Sequence, residues 1–423
     1  MTGPIPGPHS RALLESLARS ESRNVTAISD EFPVVWERAE NAAVEDADGH
    51  RYIDLTAAFG VANVGHANPN VVAAAAAQAA RLPHAMGDVH PPSARIALLE
   101  RLADIVPAGL QRTFLATTGS EAIEAAMKTA MLATGRSRFA AFRNAYHGLS
   151  IGALALCGLE KFRAPFANAV APGTVWLDFP RENDTDAASA IAATQDQLRD
   201  DATGIAALFV EPIQGRGGCV VPPEGYLREL RALCDRFGIL LVVDEIYTGF
   251  GRTGTWFAIE RENVTPDVLC IGKAMGGGFP ISAAVATTSA MDAWPVSKGE
   301  ALHTSTYLGN PVGCAAALAV IDETQRRELP LRAIRIGDIV RERCAGWPRR
   351  YGVVALRGRG AFWGIAFEQP ERAEWVVKRA LRSGIILLQS GAGGNVVTIG
   401  PPLTIEFDDL RDALDTIERC LKE

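Results

Sequence analysis

Between about residue 70 and residue 300, helix-forming stretches alternate with short apolar strands, and beyond about 326 the order changes to helix, two strands, helix and helix. The first pattern predicts an α/β fold, a largely parallel sheet with helices on both faces, and the second a small α+β unit. A third observation places chemistry on the sheet. Polar or glycine-bearing turns follow the apolar strands at their carboxyl ends, where open α/β sheets bind ligands.

Taken in order, residues 1–60 are expected to form an N-terminal segment that joins the C-terminal unit or crosses to a partner. Pro4, Pro6 and Pro8, among polar residues and without an apolar core segment, argue against a signal peptide or membrane anchor. A large domain is expected over 61–325. The alanine-rich stretch 71–82 and the apolar spacing of 93–106 predict helices. A strand at 114–116 runs into Thr117-Thr118-Gly119-Ser120-Glu121, and 122–134 has high helix propensity. A strand at 139–142 ends at Arg143-Asn144-Ala145-Tyr146-His147-Gly148, and one at 205–210 is followed by a helix at 226–237. Strand 239–243 ends on Asp244, and strand 268–271 ends on Gly272-Lys273. A helix over 312–326 leads to a small domain at 326–423. There we expect a helix at 331–344, strands at 353–357 and 362–367, a helix at 373–383 and a last helix from Asp408. Arg357-Gly358-Arg359-Gly360 can be read as a phosphate loop, but reads better as a turn between two of these strands.

Composition bounds the setting. A chain of 423 residues with 48% hydrophobic and 22% charged residues has ample core for two or three structural units. A net charge of -7 without a basic stripe argues against nucleic acid. The longest apolar strings have strand length, so no membrane span is expected. Seven scattered cysteines, none paired at two-residue spacing, read as reduced core residues of a cytoplasmic protein with no metal site.

Lys273 is one of six lysines, and it stands between an apolar strand and the glycines Gly276, Gly277 and Gly278. A desolvated amine loses its proton more easily and becomes a nucleophile, whereas a surface lysine beside a flexible loop would do nothing. Asp244, twenty-nine residues earlier, ends another apolar strand. A lysine for an aldehyde and an aspartate for a ring nitrogen point to pyridoxal phosphate. The turn at Gly119 and Ser120 precedes a helix, whose free N–H groups and dipole favour a phosphate; a plain serine cap is the other reading. Tyr146 and His147 could lay an aromatic face against a planar ring, or form an exposed turn. Asp244 could instead cap a helix. The hydroxyls of His303-Thr304-Ser305-Thr306-Tyr307 offer a second phosphate contact.

Further segments carry a resemblance. Gly65-His66-Ala67-Asn68-Pro69, Thr118-Gly119-Ser120-Glu121-Ala122, Tyr146-His147-Gly148, Glu211-Pro212-Ile213-Gln214-Gly215, the run from Asp244 to Gly254, Gly272-Lys273 and Thr306-Tyr307-Leu308-Gly309-Asn310-Pro311 occur in order. Together they resemble the class III (subgroup II) aminotransferases over nearly the whole chain, from about Phe32 to Pro402. The resemblance implies a fold-type I pyridoxal-phosphate enzyme, with a mostly parallel seven-stranded sheet and a small C-terminal domain. It also implies a homodimer with shared active sites, a small-molecule amine donor such as glutamate, and a carbonyl acceptor. Lys273, Asp244 and Tyr146 would be catalytic, with Lys273 the Schiff-base residue. Gly119, Ser120, His147, Ile246 and Tyr247 would hold the cofactor with them, Tyr146 and Ile246 on opposite ring faces. Thr306 would reach the phosphate of the neighbouring subunit, and Glu211 and Phe59 would line the substrate site.

Departures from the family bear on the substrate. Where related enzymes place a carboxylate-clamping arginine, this chain has Leu149 and Thr398. Glu211 would then lack its counterion, which predicts a cationic substrate without a carboxylate, such as a 6'-oxo amino sugar of aminoglycoside antibiotic biosynthesis. A generic ω-amine, diamine or 4-aminobutyrate-type aminotransferase is the alternative, with Arg216, Arg163 or Arg359 as the arginine. An epimerase or aminomutase of the same fold, or a non-catalytic binder, would retain the fold with different chemistry. Tyr247 replaces the family's usual glutamine beside the cofactor's phenolic oxygen.

Overall fold

The computed structural model describes residues 3–171 and 173–423, and its strands assemble into three sheets. Near the N-terminus, β1 (Trp36–Glu40), β2 (Ala43–Asp46) and β3 (Arg51–Asp54) form an antiparallel meander. The central sheet follows, from β4 (Leu110–Ala116), β5 (Arg138–Phe142), β6 (Val175–Leu177), β7 (Ile205–Val210), β8 (Leu240–Asp244), β9 (Val268–Ile271) and β10 (Ser282–Thr287). Its seven strands lie in the order β4-β10-β9-β8-β7-β5-β6. Every residue of β7 is buried, as a parallel strand between two helical layers requires.

Six of these strands run the same way, and β10 alone is antiparallel to both its neighbours. Sequence pattern did not find β10. Its residues, Ser-Ala-Ala-Val-Ala-Thr, are small and mostly of low strand propensity, and only pairing on both sides makes them a strand. Small side chains also let the helix Gly119–Thr134 lie close against the sheet at this point.

The C-terminal part holds β11 (Val353–Arg359), β12 (Phe362–Phe367), β13 (Ile385–Ile386), β14 (Leu388–Ser390) and β15 (Val396–Ile399). Strands β11, β12, β15 and β14 make an antiparallel sheet, while β13 pairs in parallel with β3. The N-terminal segment therefore joins the C-terminal part. It also contains a helix, Pro8–Ser20, that the sequence reading did not expect. Helix Phe407–Lys422 packs here through Leu410, Ala413, Leu414, Ile417 and Leu421, whose spacing puts them on one face. Arg357 and Arg359 end β11 within the strand; the turn begins only at Gly360.

Arg252 ties the parts together. It is fully buried, and its guanidinium donates to Ala361 O at 3.1 Å, to Pro401 O at 2.5 Å and to the side chain of Asn63. No carboxylate pairs with it among the described residues, and burial lowers its pKa to about 10. All seven cysteines are free and buried. No helix among the described residues is long and apolar enough to cross a membrane.

Candidate active site

Because β4, β5, β7, β8 and β9 all point their carboxyl ends to one edge of the central sheet, the turns that follow them converge. A cavity of about 180 Å3 forms there, lined by Gly119, Ser120, Tyr146, His147, Gly148, Glu211, Arg216, Asp244, Ile246, Tyr247 and Lys273, among others. Most of the predicted site residues are brought together.

The helix starting at Gly119 begins with a reciprocal capping box. Thr118 accepts from the N–H of Glu121 at 3.3 Å, and the Glu121 carboxylate accepts from the N–H groups of Thr118 and Thr117 at 2.9 and 2.8 Å. The cap is thus Thr118, and Ser120 is left to line the cavity. By helix geometry, the N–H groups of Gly119 and Ser120 have no partner within the helix. Glycine is needed at two places beside this helix start. A Cβ on Gly119 would sit 2.8 Å from Ile246 Cδ1, and one on Gly148, where φ is +121°, would sit 2.1 Å from Ser120 Oγ.

Asp244 ends β8 with both oxygens engaged. Oδ1 accepts from Ile246 N at 3.0 Å, and Oδ2 lies 2.8 Å from His147 Nδ1. Burial lowers the pKa of His147, but the hydrogen bond to Asp244 and the charges of Asp244 and Glu211 outweigh it and hold the imidazole charged above its ordinary range. His147 Nε2 is buried without a partner. His147 therefore lies behind Asp244 and orients it.

Lys273 follows β9 with φ of 44°, a left-handed conformation that is strained for a residue with a side chain. Its Nζ stands 4.1 Å from the Tyr247 ring centroid. Burial lowers its pKa, with Asp244 and Glu211 opposing and Arg216 assisting. The amine is thus easier to deprotonate, as nucleophilic and proton-transfer roles require. Tyr247 packs on Phe362 at 4.5 Å between centroids, and its hydroxyl is buried without a hydrogen-bond partner. Gly60 makes room for it, since a Cβ there would lie 2.5 Å from the tyrosine ring.

Glu211 corrects the charge argument drawn from sequence. Its carboxyl accepts from Tyr146 N at 3.0 Å and from Gly215 N at 3.1 Å, and burial raises its pKa to about 7. It has partners and shares its cavity with Arg216, so it does not await a cation. Of the three candidate arginines, Arg216 alone lines this cavity. Arg163 donates to Cys157 O and stacks on Trp176, while Arg359 faces a different groove. Sequence reasoning had no means of ranking Arg216, because its position depends on the bend between Gly215 and Cys219. Thr398 hydrogen-bonds Ser390 within the small domain's sheet, and Leu149 is exposed.

Two expected residues lie outside the cavity. Thr306 is exposed, on a segment where Val296, Leu302 and Tyr307 also expose large apolar side chains. Phe59 is 57% exposed and faces an apolar pocket with Trp36 and Leu388; Ala57, Ala58 and Phe59 all have positive φ.

The residues fit a phosphate-bearing pyridine aldehyde. The glycine-framed helix start has free N–H groups suited to a phosphate, Asp244 has both oxygens fixed, and the deprotonatable amine of Lys273 lines the same cavity. Comparison with known proteins identifies the class. Residues 25–421 match the family model for aminotransferase class III, and the chain belongs to that family.

The chain is therefore a pyridoxal-phosphate-dependent aminotransferase of fold type I. Among its relatives is an acetylornithine aminotransferase of Methanosarcina acetivorans, 35% identical over 410 residues that cover 97% of each chain. Among the solved structures similar to it are two transaminases. One is an amine transaminase from an uncultivated Pseudomonas species in a PLP-bound form, 28% identical over 95% of this chain and 98% of that one, with a TM-score of 0.87. The other is the ornithine aminotransferase of Toxoplasma gondii, 29% identical over 97% and 94%, with a TM-score of 0.85.

Proposed function

We propose that this aminotransferase takes the terminal amino group of a chain-like ω-amine that also bears a carboxylate, and passes it to a 2-oxo acid. The observation that carries this reading is Arg216 on the same cavity as Lys273, beside a Glu211 that already has its own hydrogen-bond donors. A guanidinium there offers the planar fork that a carboxylate needs. The relative named acetylornithine aminotransferase supports the same substrate class. A cationic amino sugar loses its basis, because it was inferred from an unpartnered Glu211.

Pyridoxal phosphate, when bound, supplies an aldehyde to receive the amino group and a ring to absorb the electron pair left on the substrate carbon. Lys273 takes the proton from that carbon and returns it during the exchange, helped by its lowered pKa. Asp244, held by Ile246 N and His147, would keep a proton at the ring nitrogen. The N–H groups at Gly119 and Ser120 would hold the phosphate. Tyr146 and Ile246, both on the cavity wall, would hold the ring, and Tyr247 would offer it an unpartnered hydroxyl.

We further propose a homodimer in which Thr306 of each copy reaches the other's phosphate. The exposed apolar residues around Thr306 support it, and sedimentation as a 45.1 kDa monomer would refute it.

The functional test follows absorbance on mixing the cofactor-loaded enzyme with N-acetylornithine or with a carboxylate-free amine. Arg216→Gln should raise KM for the first by about tenfold, the worth of one charge-assisted hydrogen-bond pair, and leave the second nearly unchanged. Equal effects on both would overturn the substrate reading. Lys273→Ala should abolish multiple turnover with either amine, and retained turnover would overturn the role of Lys273.

A further inference from the structure

Arg357-Gly358-Arg359-Gly360 takes no part in the cavity around Lys273. In the structure Arg357 and Arg359 close β11, and alternate residues of a strand share a face. On that face lies a separate groove of about 720 Å3, in the size range of small-molecule sites. Arg181 and Arg261 from the large domain and Arg341 from the helix Leu329–Cys344 complete its charge. Five guanidinium groups therefore line one groove, against the carboxylates of Glu182 and Asp184.

Those carboxylates neutralise the cluster weakly. Glu182 stands 3.5 Å from Arg359, and Asp184 stands 4.0 Å from Arg181. Arg341 has its own partner in Asp338 at 2.9 Å. Among the described residues, neither Arg261 nor Arg357 has a carboxylate within ion-pair distance. Glu224 and Glu262 also act on Arg359 from outside the groove, so the positive excess, in a chain of net charge -7, is confined to the groove lining. It is also costly. Burial, and then the neighbouring charge of Arg261, hold the pKa of Arg359 below its ordinary value, and burial does the same to Arg357. An anion in the groove would relieve the repulsion.

Geometry narrows the anion. Arg357 donates from Nε to Gly218 O at 2.8 Å, so its stem is fixed before any ligand arrives. One pre-set fork at Arg357, with four further guanidinium groups around the groove, suits a ligand with several oxygen-bearing charged centres, and guanidinium pairs with phosphate oxygens in a bidentate manner. We propose that this groove binds a phosphate chain of two or more phosphate groups, either inorganic or carried on a nucleoside. The site is separate from the phosphate cradle at Gly119 and does not depend on the substrate reading above.

Isothermal titration of the cofactor-loaded enzyme with inorganic tripolyphosphate at low salt tests the proposal, since the cradle at Gly119 is then filled. One site per chain is expected, weakened by about tenfold or more in the double variant Arg261→Gln with Arg359→Gln, because two charge-assisted contacts are lost. Lys298→Gln, which removes a cation outside the groove, should bind as the parent does. Aminotransferase activity of the double variant verifies its fold. Comparing ATP with tripolyphosphate distinguishes a nucleoside-borne chain from an inorganic one. No binding below about 1 mM, equal binding by the double variant, or citrate binding as tightly as tripolyphosphate would each overturn the assignment.

Discussion

Glu211→Gln should change the pH dependence of stability by a predictable amount. The buried Glu211 carboxyl holds its proton up to about pH 7, whereas in the unfolded chain it releases it near its ordinary value of 4.5. Between those values the folded state binds more protons than the unfolded state. Stability is therefore complete below 4.5, falls as pH rises to about 7, and stays flat above. At about 1.4 kcal/mol per pH unit, the total loss is on the order of 3 kcal/mol. Glutamine has no proton to lose. It keeps one acceptor for Gly215 N but turns its amide toward Tyr146 N, a fixed cost of about 1–3 kcal/mol at every pH.

The stability of the parent minus that of the variant should then be largest near pH 4.5 and fall by roughly 3 kcal/mol by pH 8. Urea unfolding of both proteins, at fixed cofactor concentration across this range, measures the difference and cancels what they share. A difference that does not vary with pH would refute a raised pKa at Glu211. It would also show that burial, the largest cause of the raised value, is offset by the two backbone donors and the nearby His147.

Two other substitutions test the frame of the site. Gly148→Ala places a Cβ against Ser120 Oγ at a positive φ, which should cost about 1–3 kcal/mol and weaken cofactor retention by about tenfold or more, read by dialysis and absorbance. Unchanged retention would show that Ser120 moves away without loss. Arg252→Leu leaves Ala361 O, Pro401 O and Asn63 without their donor, and should destabilise by about 3 kcal/mol. An unaltered urea midpoint would show that removing a buried charge compensates fully.

Much of this protein was legible in the chain because the evidence was local. Apolar runs of strand length, each ending in a polar turn, marked where Gly119, Tyr146, Glu211, Asp244 and Lys273 would stand. The reason is physical: parallel strands buried on both faces must be apolar, and function is confined to their ends. Helices 226–237 and 312–326 were legible through propensity and apolar spacing. Strand β10 and the pairing of β3 with β13 were not, since small residues and short strands carry little local signal and gain their structure from partners distant in sequence.

What the sequence by itself determined was which polar groups stand at the strand ends, because each is a residue type in a turn after an apolar run. Tertiary structure alone decided their electrostatics. Thr118 rather than Ser120 caps the helix, His147 stands behind Asp244, and Glu211 is met by two N–H groups. Arg216 enters the cavity, and Arg357 and Arg359 turn from a loop motif into part of a charged groove. Charge, burial and hydrogen-bond partners depend on groups brought together from distant strands, and a local pattern of residues does not encode those meetings.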